Sequence, residues 1–199
     1  MSELAAIAFQ QTSWLEVLAV VFSISYVVLA AYENNWCWPA AVVSALLYIY
    51  ICFTAKLYSE TGLMIFYLIM AFYGWWQWKN KKTGNHELKI SVLDRKTHLI
   101  LLASGIAITF LFYFVMKNYT RAVLPLEDAI VTAFSLIATF MVTKKILQNW
   151  IWWIVIDSLA IYIYVSRGLQ LTAVLYFIYV IIAVVGFIKW RKEFSHQEI

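Results

Sequence analysis

One acidic residue, Asp157, lies in the middle of a long apolar run, which makes it the first candidate for a functional role. The run Ile146–Ser166 contains no other charged residue. A carboxylate at the centre of a membrane helix costs roughly 2.5 to 3.5 kcal/mol on insertion scales. Such residues usually face a bundle interior or a wet cavity and mark a substrate or ion path. The alternative is a structural role, in which Asp157 bonds to a hydroxyl or amide of a neighbouring helix.

Aromatic residues share the helical face of this carboxylate. Trp150, Trp153, Ala160 and Tyr164 stand at positions −7, −4, +3 and +7 from Asp157, so a helix brings them to one side. Aromatic rings around one carboxylate suit a flat, cationic, heteroaromatic ligand through stacking and cation–π attraction. We therefore expect Asp157 and the three aromatic residues to contact substrate.

The composition places this face in a membrane. Hydrophobic residues make up 64% of the 199 residues and charged residues 13%, whereas soluble domains contain about 45–50% and 25%. A chain this short cannot bury so much apolar surface, because small domains keep a large share of their surface exposed. The net charge is +4, but the basic residues form no continuous patch. Lipid is therefore the expected surrounding, and no nucleic acid is expected as a partner.

Charged residues divide the chain into seven apolar runs, most of them near the ~20 residues that a helix needs to cross the hydrocarbon. The runs are Val17–Tyr32, Asn34–Ala55, Thr61–Trp78, Thr97–Met116, Ala129–Thr143, Ile146–Ser166 and Gly168–Ile188. Lipid offers no partner for backbone amides, so each run is predicted to be a helix. The expected fold class is an all-α membrane protein with seven transmembrane helices, in a single domain covering residues 1–199.

The distribution of Lys and Arg predicts the orientation of these spans. With seven spans, the side that holds the N-terminus carries four Lys or Arg residues and the opposite side carries eleven. Because cytoplasmic loops are enriched in these residues, we expect the N-terminus outside and the C-terminus inside.

The first three spans resemble the last three, which indicates an internal repeat. Pairs at an offset of 112 are Gly74 and Gly186, Trp78 and Trp190, and Phe22-Ser23 and Phe134-Ser135. Spans 2 and 6 instead align at an offset of 114, through the Asn-Trp-x-Trp motifs that begin at Asn35 and Asn149. This alignment pairs Ser44 with Ser158, Tyr48 with Tyr162, and Tyr50 with Tyr164.

The repeat predicts a first three-helix unit over residues 14–80, a linker helix over 97–117 and a second three-helix unit over 126–192. A single linker helix gives both units the same orientation, so the repeat is parallel. Several carriers build two halves around a central path in this way. The repeat therefore favours transport, and it makes Ser44 and Tyr48 substrate-contact candidates on span 2.

Three further aromatic or acidic residues are weaker candidates. Tyr67 on span 3 and Tyr176 on span 7 are candidates for substrate contact, although packing or an interfacial belt explains each such tyrosine better. Glu60 precedes span 3 and would attract a cation at the outer surface. A solvated charge at a helix start, favoured by the helix dipole, is the alternative.

Enzyme motifs are not found in the sequence. His86, His98 and His196 have no partner at metal-ligand spacing. There is no phosphate loop and no Gly-x-Ser-x-Gly elbow. No enzymatic activity, metal or cofactor is therefore expected.

Three motifs together resemble the PnuC family of bacterial vitamin transporters. They are Leu57-Tyr58, Tyr73-Gly74-Trp75-Trp76-Gln77-Trp78 and Asn149-Trp150-Ile151-Trp152-Trp153-Ile154-Val155-Ile156-Asp157. The resemblance implies a SWEET-like arrangement of three, one and three helices in the bacterial inner membrane. It also implies a homotrimer and facilitated diffusion, in which a cytoplasmic kinase phosphorylates the vitamin and the charged product cannot return.

Two positions bear on the substrate that the resemblance implies. The best-known members carry nicotinamide riboside and have a glutamine in span 3 and an asparagine in span 6, where this chain has Met64 and Asp157. The chain is short and is more similar to the compact branch called PnuT, which carries thiamine. The resemblance thus implies thiamine as substrate and nicotinamide riboside as the alternative. In this hypothesis Asp157 balances the cationic vitamin, Trp153 stacks on it and Met64 lies near it.

Other functional classes remain open from the sequence. A seven-helix receptor would be expected to carry a signalling domain or a long cytoplasmic tail, and the tail here is about ten residues. A membrane scaffold would not need a charge at the midplane. Within the transporter class, coupling to protons or sodium is an alternative to facilitated diffusion, with Asp157 as the proton site.

Overall fold

Residues 13–83, 88–120 and 124–197 are described by the structure, a computed structural model. Seven helices account for almost all of them. They are α1 (Trp14–Ala31), α2 (Cys37–Thr54), α3 (Tyr58–Thr83), α4 (Arg95–Tyr119), α5 (Pro125–Thr143), α6 (Asn149–Ser166) and α7 (Gln170–Gln197). The described residues contain no strand beyond a single bridge, and the expected all-α fold is confirmed.

Six of the seven helices are long and apolar enough to cross a membrane. The seventh, α3, has 26 residues and contains the uncharged run Thr61–Trp78. Its second half is rich in tryptophan and tyrosine and contains Gln77, which lowers its mean hydropathy. Tryptophan and tyrosine are typical of the membrane interface rather than the hydrocarbon centre. The length of α3 thus fits a span that ends in an interfacial belt.

The chain divides after Trp76 into two compact units. In the first unit α1 packs against α2. In the second unit α7 packs against α6, α6 against α5, and α5 against the linker helix α4. The last turns of α3, from Gln77 onward, belong to the second unit.

Helix boundaries reveal one repeat offset throughout. Helices α2 and α6 both have 18 residues, and they begin and end 112 positions apart. Helices α1 and α5 end 112 positions apart, and α3 and α7 begin 112 positions apart. The two three-helix segments therefore share one register from the end of their first helix to the start of their third.

The turns of the two segments are built alike. Glu33 and Lys145, 112 positions apart, have φ values of 54° and 53°. Lys56 and Gly168, also 112 apart, have φ values of 60° and 75°. Left-handed residues commonly end helices, but φ above zero is uncommon for residues other than glycine. Its recurrence at equivalent positions indicates that both segments turn in the same way.

The offset of 114 proposed for α2 and α6 is wrong. It equates Trp36, which is 71% exposed, with Trp150, which is 2% exposed. It also equates Ser44, whose buried hydroxyl donates to a carbonyl of α1 at 3.1 Å, with the exposed Ser158. Two tryptophans two positions apart lie around the start of each helix, so the motif alone allows two alignments. The turn lengths fix the offset at 112, which pairs Trp38 with Trp150.

These paired tryptophans pack against paired glycines. A Cβ added to Gly74 would lie 2.1 Å from the Trp38 ring, and one added to Gly186 would lie 2.8 Å from the Trp150 ring. Any side chain at these positions would collide with the ring. The same tryptophan-on-glycine contact thus joins α2 to α3 and α6 to α7.

The segment between α3 and α4, residues 88–94, acts as a strap across the second unit. The Ser91 amide donates to the Lys145 carbonyl at 3.0 Å, and the Leu147 amide donates to the Ser91 carbonyl at 2.9 Å. Further bonds run from the Leu93 amide to Gln148 Oε1 and from the Ile90 amide to Gln197 Oε1, each 3.1 Å long. The strap therefore fastens the α5–α6 turn and the end of α7 to the start of α4.

Candidate functional site

Asp157 lies in the middle of α6 and is 4% exposed. Among the described residues its carboxylate has no hydrogen-bond or ion-pair partner, so the structural role considered above gains no support from them. The equivalent position of α2 is Ala45, which is also buried. Burying a carboxylate is costly unless something compensates for its lost hydration. The second unit therefore has a buried acidic residue at a position where the first unit has a buried alanine.

Two tryptophans on the face of Asp157 are held by protein contacts. Trp150 meets the Trp190 ring edge-to-face, with 5.4 Å between ring centroids and 89° between planes. Trp153 is half-buried and packs against a hydrophobic cluster that joins α5 to α6. The rings on this side of Asp157 thus pack against residues of α5 and α7.

A pair of tyrosines lies on the other side of Asp157. Tyr164, seven residues further along α6, stacks on Tyr176 of α7, with 5.1 Å between centroids and 20° between planes. Tyr176 in turn meets Tyr179 edge-to-face at 5.8 Å. Seven residues correspond to about 10 Å along a helix. The structure thus brings together Tyr164 and Tyr176, which the sequence had proposed separately.

The remaining candidates lie in the first unit. Ser44 uses its hydroxyl to join α2 to α1. Tyr48, Met64 and Tyr67 are half-buried on α2 and α3, and Glu60 is exposed in the first turn of α3. Their roles in substrate binding remain predictions.

Sequence reasoning missed a group at the N-terminal end of α6. The Lys145 ammonium lies 4.8 Å from the centroid of the Trp78 ring. Trp78 in turn packs against Trp190 at 6.2 Å. The offset of 112 between Trp78 and Trp190 was visible in the sequence. The position of Lys145 was not, because it depends on the left-handed turn between α5 and α6.

One ion pair and one capping carboxylate lie at helix ends of the second unit. Arg167, in the α6–α7 turn, forms an ion pair with Asp128 in the first turn of α5. Asp94 caps α4 by accepting hydrogen bonds from the Lys96 and Thr97 amides, each 3.1 Å long. Hydrogen bonds from Thr97, through its side chain and its backbone, hold the pKa of the Asp94 carboxyl below its usual value. Both groups stabilise helix ends.

Named relatives align with almost the whole chain. The nicotinamide riboside transporter PnuC of Escherichia coli is 25% identical over 89% of this chain and 85% of its own. The same transporter of Neisseria mucosa is 25% identical over 92% of this chain and 74% of its own. The riboflavin/roseoflavin transporter RibM of Streptomyces davaonensis is 22% identical over 95% of this chain and 90% of its own.

A solved structure has the same fold. The crystal structure of the vitamin B3 transporter PnuC superposes with a TM-score of 0.75 at 24% identity, covering 96% of this chain and 86% of that one. The family model described as nicotinamide mononucleotide transporter matches residues 13–192. The chain is therefore a multi-pass protein of the bacterial inner membrane and belongs to the nicotinamide mononucleotide transporter family, the PnuC family that its motifs resemble.

Proposed function

We propose that this protein carries a cationic heteroaromatic vitamin across the bacterial inner membrane. The observation behind the proposal is Asp157, a carboxylate that is 4% exposed and has no partner among the described residues. Ionisable residues inside membrane helices characteristically mark substrate or ion paths. A cation bound beside Asp157 would compensate for the buried charge, and the aromatic side chains of its helix face would offer stacking and cation–π contacts.

Nicotinamide riboside is the first substrate candidate. Two of the relatives described above are named as its transporters, and its pyridinium ring is flat and positively charged. Thiamine, with its thiazolium cation, is the second candidate. It is supported by Asp157 and Met64, the two positions at which this chain departs from the asparagine and glutamine of the best-known nicotinamide riboside carriers.

Riboflavin is the substrate named for RibM, and it is a weaker candidate for this chain. Its isoalloxazine ring is neutral, so it offers no charge to a buried carboxylate. A neutral ligand would leave the burial cost of Asp157 uncompensated. The charge of the ligand therefore separates the two cationic candidates from riboflavin.

The mode of transport that we propose is facilitated diffusion followed by trapping. The vitamin would enter from the outside, where the charge distribution predicts the N-terminus, and a cytoplasmic kinase would phosphorylate it. A homotrimer is the expected assembly on the same grounds of resemblance. Coupling to a proton or sodium gradient is the alternative, and accumulation against a gradient in kinase-free vesicles would distinguish it.

The first experiment is equilibrium binding to the purified protein, followed through its ten tryptophans. Thiamine, nicotinamide riboside and riboflavin are titrated in parallel. Saturable quenching by one cationic vitamin, with riboflavin at least tenfold weaker, supports the proposal and identifies the substrate. Binding of riboflavin alone would contradict the role of Asp157. No binding by any of the three would point to the receptor or scaffold classes.

A further inference from the structure

We propose that Trp78, Trp150 and Trp190, here called the tryptophan cluster, form a gate that Lys145 holds closed at the N-terminal end of α6. The proposal rests on the transport function proposed above, because a gate needs a path. In that function the tryptophan cluster would control passage of the vitamin between Asp157 and the α5–α6 turn. The positive-inside distribution predicts that this end faces the cytoplasm.

The position of the cluster is suited to a gate. Trp150 stands seven residues before Asp157 on the same helix face, about 10 Å closer to the α5–α6 turn. The three rings are 0–2% exposed. A ligand that left Asp157 along α6 towards this end would therefore meet closed aromatic packing.

The contacts of the cluster form a chain from α6 through α7 to α3. Trp150 packs edge-to-face on Trp190 at 5.4 Å, and Trp190 meets Trp78 at 6.2 Å and 50°. The Trp150 indole N–H is buried and has no hydrogen-bond acceptor among the described residues. A permanent core rarely leaves a buried donor unsatisfied. An open state that admits water would satisfy this donor, so the packing is compatible with a wall that opens.

Lys145 connects the gate to the turn and the strap. Its ammonium lies over the Trp78 ring at 4.8 Å, and its backbone is in the left-handed region. The Lys145 carbonyl accepts a hydrogen bond from the Ser91 amide of the strap. Movement of the α5–α6 turn would withdraw the ammonium from Trp78 and remove a cation–π contact from the closed state. Lys145 thus connects the α5–α6 turn to the strap through its carbonyl and to the gate through its ammonium.

The gate is tested by the accessibility of a reporter cysteine that needs no substrate. Ala160→Cys is introduced into a background in which Cys37 and Cys52 are alanine. Ala160 is 1% exposed and lies three residues from Asp157 on the same face. Inside-out vesicles are treated with a membrane-impermeant maleimide, and the labelling rate is measured.

We expect Trp78→Ala and Lys145→Gln each to raise the labelling rate about tenfold, the population change that corresponds to 1.4 kcal/mol. Lys145→Gln is the milder variant and keeps the test valid if Trp78→Ala fails to fold. The matched controls are Trp76→Ala, since Trp76 is 58% exposed, and Lys144→Gln, whose ammonium lies over Phe140 instead. Both controls should label at the parent rate.

Unchanged labelling in both cluster variants would overturn the gate. An equal rise in the two controls would also overturn it, because general loosening would then explain the result. The readout does not depend on the vitamin. A selective rise in a preparation that binds neither thiamine nor nicotinamide riboside would support the gate while refuting the proposed substrates.

Discussion

Replacing Asp157 by asparagine removes a buried carboxyl group, which can carry a negative charge beside a bound cation, while preserving the shape of the side chain. At an effective dielectric constant near 20, a unit cation about 5 Å away is attracted by about 3 kcal/mol. The asparagine amide keeps a dipole and hydrogen-bonding groups, so part of this interaction remains. We expect a net loss of about 2 kcal/mol, or about 30-fold in Kd for the cationic vitamin.

The same substitution should affect stability in the opposite direction. Asp157 has no partner among the described residues, and a carboxylate in mid-membrane costs roughly 2.5 to 3.5 kcal/mol on insertion scales. Asparagine lowers this cost, so the ligand-free variant should melt at the same temperature or a higher one. A carboxylate that joined two helices would give a lower Tm, because breaking its hydrogen bonds would leave buried groups unsatisfied.

Asp128→Asn is the matched control, since it makes the same chemical change in the same unit. Asp128 is paired with Arg167, and the side chains of the two residues are 22% and 26% exposed. Its variant should lose about 1 kcal/mol of stability and bind the vitamin with unchanged affinity. Isothermal titration calorimetry gives Kd and thermal unfolding in detergent gives Tm. Asp157→Asn affinity within threefold of the parent, or a Tm fall larger than that of Asp128→Asn, would refute the assigned role.

Three further outcomes follow from packing and capping. Gly186→Ala should lower the free energy of unfolding by roughly 1–3 kcal/mol through collision with a tryptophan ring. In thermal unfolding Gly62→Ala, which meets nothing within 4 Å, should be neutral or stabilising. Hydrogen bonds from Thr97 lower the pKa of Asp94 in the folded state. The stability that ionised Asp94 contributes is therefore fully present above about pH 4 and is lost as the pH falls through the folded pKa. Asp94→Ala should therefore flatten the dependence of Tm on pH between about 3 and 5. Tyr176→Ala should cost about 1 kcal/mol of stacking with its partner on α6, which thermal unfolding would show as a lower Tm.

The helices were predictable from the sequence because the bilayer imposes a simple rule on them. Every span must be apolar and near 20 residues long, and charges mark where each run ends. The exception, α3, shows the limit of hydropathy. Its aromatic half, with Trp75, Trp76 and Trp78, lowers the mean hydropathy of α3, although the uncharged run Thr61–Trp78 is long enough for a span.

The repeat was only half predictable. Identities at Gly74 and Gly186 gave the offset of 112, but the Trp-x-Trp motifs allowed 114 as well. The choice is made by the backbone, since the left-handed residues Glu33 and Lys145 fix equal turn lengths in the two segments. Lysine and glutamate rarely adopt positive φ, so the sequence does not predict these turns.

The candidate site was also only partly predictable from the sequence. The burial of Asp157 followed from one charge in an apolar run. The stacking of Tyr164 on Tyr176, and the use of the Ser44 hydroxyl to hold α1, depend on how neighbouring helices are rotated. Single-helix periodicity gives the face of a residue but not its partner on another helix.

Uptake into proteoliposomes tests the central claim most directly. Purified protein is reconstituted, and entry of radiolabelled thiamine and nicotinamide riboside is followed with unlabelled vitamin inside, so that exchange proceeds without a kinase or an ion gradient. We predict saturable exchange of one cationic vitamin, inhibited by the same unlabelled compound outside and reduced in Asp157→Asn at subsaturating concentration. Exchange of neither vitamin, or exchange unaffected by Asp157→Asn, would contradict the assignment of a cation-binding vitamin carrier.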